Sequence, residues 1–438
     1  MKKRSTFLLQ SAFALTYRVF SAGLSYGLFL AIPLLFGVEA LGVFVLFQTL
    51  LGALGAFLTL GLNIGLLRHV AQEDFTSTTI GLYRRSMALS LIFSILVAFF
   101  VFLFSIPLSQ LFPAFSQHPF VMTLLAICLP FQSMLLINVE VIRGMHIIKV
   151  SEFFRNLLAY LVAIVCLGIA FLLDNGSILI AVWAFAIGTI AAAIFSMGFV
   201  IYKGQQATAE NESIQSTGIE IKKMLHTSLP MMGSSLVQNW NSRIMTVMLG
   251  FLASVEVVGV FGLAFKLSTL PDFFTAAVKA PSAPLISRYF KDKEWGELQK
   301  LLQTSVRLIV LVILPVGAVL FFFSDLLLSF TDKSFVGGTS TLRILIVATV
   351  SSSFFGLTGA FLNMCNHQTQ LFKVVLFAFV LNLCISWLMV PKYGADGAAA
   401  AFLISTITWN ALSALFIYRK YSFTTFPYPI KKQRTLAP

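Results

Sequence analysis

Apolar runs about as long as a membrane is thick follow one another through this chain, with almost no charge inside them. Twelve can be counted, at approximately 11–36, 41–67, 86–110, 120–141, 157–174, 177–202, 227–251, 255–283, 304–329, 341–364, 371–391 and 397–418. A helix needs about 20 apolar residues to cross a hydrocarbon layer of about 30 Å. Backbone groups in lipid must bond to one another, so each run is expected to be a helix. The alternating segments of an outer-membrane barrel are absent. Composition agrees: of 438 residues, 58% are hydrophobic, 11% are charged and 45 are Phe. A soluble domain carries roughly 25% charge, so a soluble enzyme is excluded, and so is a disordered chain. The expected fold class is an all-α polytopic membrane protein of about 12 transmembrane helices.

Basic residues orient the spans. With the N-terminus placed in the cytoplasm, 21 of the 30 Lys and Arg residues fall on that side. They include Lys2, Lys3, Arg4, Arg84, Arg85, Arg143, Lys149, Arg155, Arg288, Lys291, Arg419 and Lys420. The opposite loops hold Lys333 and Lys392, with Arg343 at a border. Both termini are therefore expected in the cytoplasm. The net charge of +13 is a topology signal rather than a sign of nucleic-acid binding. The first run is too long for a signal peptide and lacks an A-x-A-like site, so it is expected to be a retained helix.

The polar stretch 203–225 has the look of a linker. It separates an expected N-terminal six-helix lobe, 1–202, from a C-terminal one, 226–418, followed by a basic cytoplasmic tail, 419–438. An internal repeat supports two like halves. Leu41-Gly42-Val43-Phe44 aligns with Val258-Gly259-Val260-Phe261, 217 residues later. Like-oriented halves are a transporter arrangement. The segment Lys291–Thr304 carries Trp295, Leu298, Leu301 and Leu302 on one helical face. It fits either a short interfacial helix or a cytoplasmic extension of the ninth span.

Nothing in the chain calls for a cofactor. There is no GxxxxGK[ST] and no HExxH. Cys128, Cys166, Cys365 and Cys384 form no CxxC and read as packing residues. No metal site and no catalytic residue is expected, and the outer loops are too short for a glycan polymerase or ligase. The informative residues are charges within the spans, each costly in lipid. Arg18 lies about 10 Å into the first span, where it either faces the interior or snorkels to the interface. Arg243 lies roughly 12 Å from the outer end of its helix, in the polar run Gln238-Asn239-Trp240-Asn241-Ser242-Arg243. Lys266 falls near mid-membrane. Lys279, nearer the cytoplasmic end, can snorkel. Asp272 is the one acid well inside, and it either pairs with a nearby cation or takes part in gating. Pro271, Pro281 and Pro284 are expected to bend this eighth span. An interior with this balance favours an anion. Polar groups such as Gln48, Asn63, Asn138, Asn382 and Asn410 are expected to bond between helices.

The residues then carry a family likeness. Glu39–Gln72 (EALGVFVLFQTLLGALGAFLTLGLNIGLLRHVAQ) resembles the second-helix signature of polysaccharide flippases. Ser228-Leu229-Pro230, Met248-Leu249-Gly250 and Val258–Phe261 resemble the pattern of that family's seventh and eighth helices. Pro281-Ser282-Ala283-Pro284-Leu285 matches the end of the eighth. Val390–Ala400 (VPKYGADGAAA) resembles the turn before the last helix. Taken in order, these motifs are similar to the Wzx-type O-antigen and polysaccharide flippases of the MOP transporter superfamily.

The resemblance implies two six-helix lobes around a central cavity that opens alternately to either side. It implies a substrate of oligosaccharide on polyprenyl (undecaprenyl) diphosphate, carried across the bacterial inner membrane for lipopolysaccharide or other surface-glycan assembly. Glycan polymerase or ligase machinery would be a partner alongside membrane lipids. The anionic diphosphate suits the cationic interior. Arg18, Arg243 and Lys266 are the expected diphosphate or acidic-sugar contacts, with Asn239 and Asn241 as sugar contacts. Three rivals share the superfamily shape: a lipid II flippase, whose family generally has fourteen spans; a teichoic-acid-type exporter; and a multidrug and toxin extrusion (MATE) cation antiporter, which usually needs acidic residues in its lobes.

Overall fold

The computed structural model describes the backbone of residues 2–73, 75, 77–173, 177–210, 237, 240–331 and 333–427, and every described regular element is helical. It falls into two compact units, residues 1–239 with 254–259, and residues 240–253 with 260–438. Eight described helices are long and apolar enough to span a membrane, and nine if one bent pair is counted as a span. Two of the eight are longer than any single crossing needs, and each is two helices joined at a glycine. Helix α1 (Lys2–Leu58) breaks at Gly37, with φ 83°. The last helix, Gln368–Tyr421, breaks at Gly394, with φ 53°. Both angles lie in the left-handed region that glycine enters without a Cβ penalty. The seventh expected span is described only from Trp240, and its helix runs over Ile244–Leu252.

In the first unit, α2 (Leu62–Glu73) continues the second span beyond a break at Leu60 and Gly61. The break frees the Leu58 carbonyl, and Ser90 Oγ donates to it at 3.0 Å. Such repair by a neighbouring hydroxyl is how lipid-embedded helices tolerate interruptions. The third span is α3 (Ser77–Leu103), and the short α4 (Ser105–Gln110) and α5 (Pro113–Ser116) form the following loop. Then come α6 (Phe120–Gly144), α7 (Ile148–Glu152), a π-turn (Phe153–Leu157), α8 (Leu158–Leu172) and α9 (Ile180–Glu210). Helix α9 runs on into the stretch expected as linker. The core joins Leu62, Leu66 and Val70 of α2, Leu82 and Met87 of α3, Ile137 and Val141 of α6, and Ala192 and Val200 of α9.

In the second unit, α10 (Ile244–Leu252) is followed, after Ser254–Gly259 of the first unit, by the rest of α11 (Val255–Ser268) and by α12 (Asp272–Lys291). The last two form the eighth span, bent by 43° at Pro271, whereas α12 continues through Pro281 and Pro284. The ring nitrogen of Pro271 cannot donate to the Leu267 carbonyl, which accepts instead from Leu270 N at 3.2 Å. Helix α13 (Trp295–Phe322) starts at Trp295 and is continuous. The stretch Trp295–Thr304 is therefore continuous with the ninth expected span. Leu298, Leu302, Val306, Ile309 and Ile313 form its buried stripe. Helices α14 (Ser324–Ser329), α15 (Thr339–Ser353), α16 (Thr358–Met364) and α17 (Gln368–Tyr421) complete the unit. The helix thus passes Ile417 and Tyr418 and ends three residues into the expected tail.

Candidate functional site

The repeat glycines have a specific task inside the first unit. A Cβ on Gly42 would collide with the carbonyl of Val255, and one on Gly259 would come within 2.6 Å of the Val38 carbonyl. The two copies of the repeat thus meet glycine to backbone, and this close approach draws Ser254–Gly259 into the first unit. The turn motif before the last helix works the same way. Gly394 takes the left-handed conformation, and a Cβ on Gly397 would come within 2.5 Å of the Met389 carbonyl. Between them Asp396 accepts from the hydroxyls of Ser340 and Thr341, fastening the turn to the start of α15.

The residues expected at a substrate site are distributed unevenly. Arg243 stands at the residue before the first turn of α10 and is half-buried. Asn241, two residues earlier, is half-buried as well, and its buried Oδ1 has no hydrogen-bond donor among the described residues. Lys266 is half-buried in the last turn of α11, directly before the bend. Its carbonyl accepts from Thr269 Oγ1 at 2.7 Å and from Thr269 N at 3.2 Å, so the backbone at this cation is held in place by the break itself. Asp272 opens α12 as an exposed residue, and exposed Lys279 follows two turns later, within electrostatic reach of the carboxylate. These five belong to the second unit. Arg18 lies in α1, but its side chain is outside the described residues, and so is Asn239.

The expected bonding between helices holds for Asn138, whereas a buried ion pair at Glu140 escaped sequence reasoning. Tyr83 OH donates to Asn138 Oδ1 at 2.7 Å, and Asn138 Nδ2 donates to Ser196 Oγ at 3.0 Å, linking α3, α6 and α9. Glu140 is buried, and Arg155 of the π-turn and Arg143 both pair with it. Both arginines carry topology weight in the sequence; only the fold shows that they neutralise a buried acid. The expected bonding between helices holds for Gln48, which donates to Tyr160 OH at 3.1 Å. It holds for Asn410, whose amide meets Thr358 and Ser352 on either side of the break between α15 and α16. Among the described residues, no cluster of His, Cys, Asp or Glu could hold a metal ion.

Comparison with known proteins follows from this geometry. A family model described as polysaccharide biosynthesis protein matches residues 29–332. An uncharacterized membrane protein of Methanocaldococcus jannaschii is 28% identical over 180 residues, 41% of this chain and 40% of its own length. A probable flippase, AglR, of Haloferax volcanii is 25% identical over 171 residues, 38% of this chain and 36% of its own. The matched segments thus span about two fifths of those relatives. Among solved structures, the lipid II flippase MurJ in an inward closed conformation superposes with TM-score 0.74 at 14% identity, covering 94% of this chain and 87% of that one. An inward-facing MATE family transporter of the MOP superfamily superposes with TM-score 0.69 at 17% identity, covering 91% and 94%. At such identities the likeness establishes the fold alone, an all-helical fold shared with those two transporters.

Proposed function

The chain belongs to the polysaccharide biosynthesis protein family, and from that premise we propose that it is a flippase for a lipid-linked glycan. The substrate is an oligosaccharide on polyprenyl diphosphate. The carrier is undecaprenyl, the membrane is a bacterial inner membrane with both termini cytoplasmic, and the product feeds O-antigen-type surface-polysaccharide assembly by a polymerase or ligase. The lobes at 1–202 and 226–418, joined by 203–225, open alternately to the two sides. The observation that carries the proposal beyond family membership is the pair of half-buried cations, Arg243 and Lys266, on the polar seventh and broken eighth spans. An intramembrane cation is costly and marks a functional position, and two of them in these spans favour an anionic substrate such as a diphosphate. Asn241 brings a buried acceptor next to it, suited to a sugar hydroxyl. Arg18 and Asn239 are assigned to the same pathway. Asp272 and Lys279 are assigned to the bend, where they act as a charge pair.

The test is deletion of the gene with lipid extraction and surface-glycan staining. Polyprenyl-diphosphate oligosaccharide accumulates on the cytoplasmic face and surface polymer disappears. An inserted Arg243→Ala copy fails to restore export. Unchanged surface glycan together with raised sensitivity to cationic drugs would overturn the proposal in favour of a drug exporter.

A further inference from the structure

The far end of the second unit holds a cavity of about 240 Å³ that the glycan pathway does not use. Its construction begins in the sequence of α17. Ala411, Ala414, Leu415 and Tyr418 recur at helical spacing and so share one face, and the two alanines leave the space. Phe355 closes one side from the break between α15 and α16, where Gly356 turns the chain with φ 64°. The other side is a strap, residues 423–427. Ser422 ends α17 in the left-handed conformation. Gln299 Nε2 then donates to the Thr424 carbonyl at 3.0 Å, Gln303 Nε2 to Thr424 Oγ1 at 3.0 Å, and Arg307 Nε to the Pro427 carbonyl at 2.9 Å. Phe426 of the strap packs on Phe355 with ring centroids 5.3 Å apart. Leu415 and Tyr418 are 43% and 42% exposed, so the cavity opens to the outer surface of the protein.

Two features distinguish this cavity from a passive crease. Thr425 lines it and is 2% exposed, and its hydroxyl has no hydrogen-bond partner among the described residues. A buried hydroxyl left unsatisfied is costly, and a ligand acceptor would relieve it. Exposed Arg419 and Lys420 follow Tyr418 in the last turn, and Lys431, Lys432 and Arg434 follow in the sequence. A basic cluster directly after a transmembrane helix attracts anionic lipid.

We propose that this cavity is a site for an anionic phospholipid of the adjoining leaflet. One acyl chain lies against Ala411, Ala414 and Leu415, an ester carbonyl accepts from the Thr425 hydroxyl, and the phosphate meets Arg419. A straight acyl chain fits the seam between two alanines better than a polyprenyl tail, which carries a methyl branch on every isoprene unit. The occupant is therefore a membrane phospholipid and not the transported lipid.

The full chain in detergent, titrated with phosphatidylglycerol and phosphatidylcholine of equal chain length and read by native mass spectrometry, tests this. Phosphatidylglycerol binds the tighter. Arg419→Gln weakens its binding about fivefold and leaves phosphatidylcholine unchanged. Ala411→Phe, which fills the cavity, abolishes the tight phosphatidylglycerol site. If that variant does not fold, Thr425→Val, which keeps the shape, still weakens phosphatidylglycerol. Equal binding of the two lipids, or wild-type binding by both Ala411→Phe and Thr425→Val, overturns the site. Displacement of phosphatidylglycerol by polyprenyl phosphate overturns the choice of occupant. None of these readouts depends on glycan transport, so failure of the flippase assignment leaves the test intact.

Discussion

The two units place their charged groups at different kinds of position. In the first, the buried acid Glu140 is met by Arg155 and Arg143, and the buried amide of Asn138 is met by Tyr83 and Ser196. These contacts tie α3, α6 and α9, uninterrupted helices of 27, 25 and 31 residues, into one packed block. In the second, Arg243 and Lys266 stand at a helix start and a helix break, and the eighth span bends by 43° between Lys266 and Lys279. Paired charge rigidifies a bundle. Cations at the ends of short helices sit where the backbone can change direction. The first unit is thus organised as scaffold, and the second places its charge where a helix can hinge.

The comparison breaks most severely at the repeat glycine. Gly42→Val drives a side chain into the Val255 backbone, which cannot step aside, and costs about 3 kcal/mol or more. Fluorescence-detected size exclusion then shows loss of monodisperse protein. Arg155→Ala leaves Glu140 buried with one distant, partly exposed partner and costs roughly 2–3 kcal/mol, below the full penalty for a completely buried pair. Adding Glu140→Gln restores most of the melting temperature, and if it does not, the pair is not what holds α6 to the π-turn. Tyr83→Phe removes one interhelical bond and costs about 1 kcal/mol.

The cations of the second unit predict the reverse pattern. Arg243→Gln and Lys266→Gln lower glycan export about tenfold, a loss of roughly 1.4 kcal/mol in substrate or transition-state binding, while leaving the melting temperature unchanged. If either lowers stability as Arg155→Ala does, that cation is structural and the contrast between the units fails. The smallest effect concerns His367, which precedes α17 and shares a hydrogen bond of 2.6 Å with Tyr421 OH. Burial, and then the nearby Lys420, hold its pKa below the ordinary 6.5. The unfolded chain therefore binds the proton more readily, and stability is lost as pH falls from 6.5 toward the folded-state value. His367→Gln flattens that slope in a melting series against pH.

Legibility differed by residue. Pro271 announced a bend because a missing N–H is a local fact, and the bend is there; Pro281 and Pro284 carry the same local signal yet sit inside a continuous helix. Glycines 42, 259, 394 and 397 stood in motifs that matched a family, but their reason, backbone meeting backbone or a left-handed turn, needed the packed structure. The pairing of Arg155 with Glu140 was hidden because the two are 15 residues apart and meet only across a loop and a π-turn. The strap at 423–427 was read as part of a free basic tail, since no periodic pattern marks a segment held by Gln299 and Gln303 from 121 or more positions away.

The amino-acid sequence alone determined that this chain is helical and lies in lipid, and it placed cations inside the membrane. Those properties follow from side-chain transfer energies and backbone hydrogen bonding, which are set residue by residue. It also carried the family, through short motifs in fixed order. Tertiary structure alone decided which buried charges are neutralised, where helices break and how the freed carbonyls are repaired, and that an alanine seam in α17 becomes a cavity. Each of those depends on which distant segment arrives as neighbour, and a contact between helices is a property of the pair.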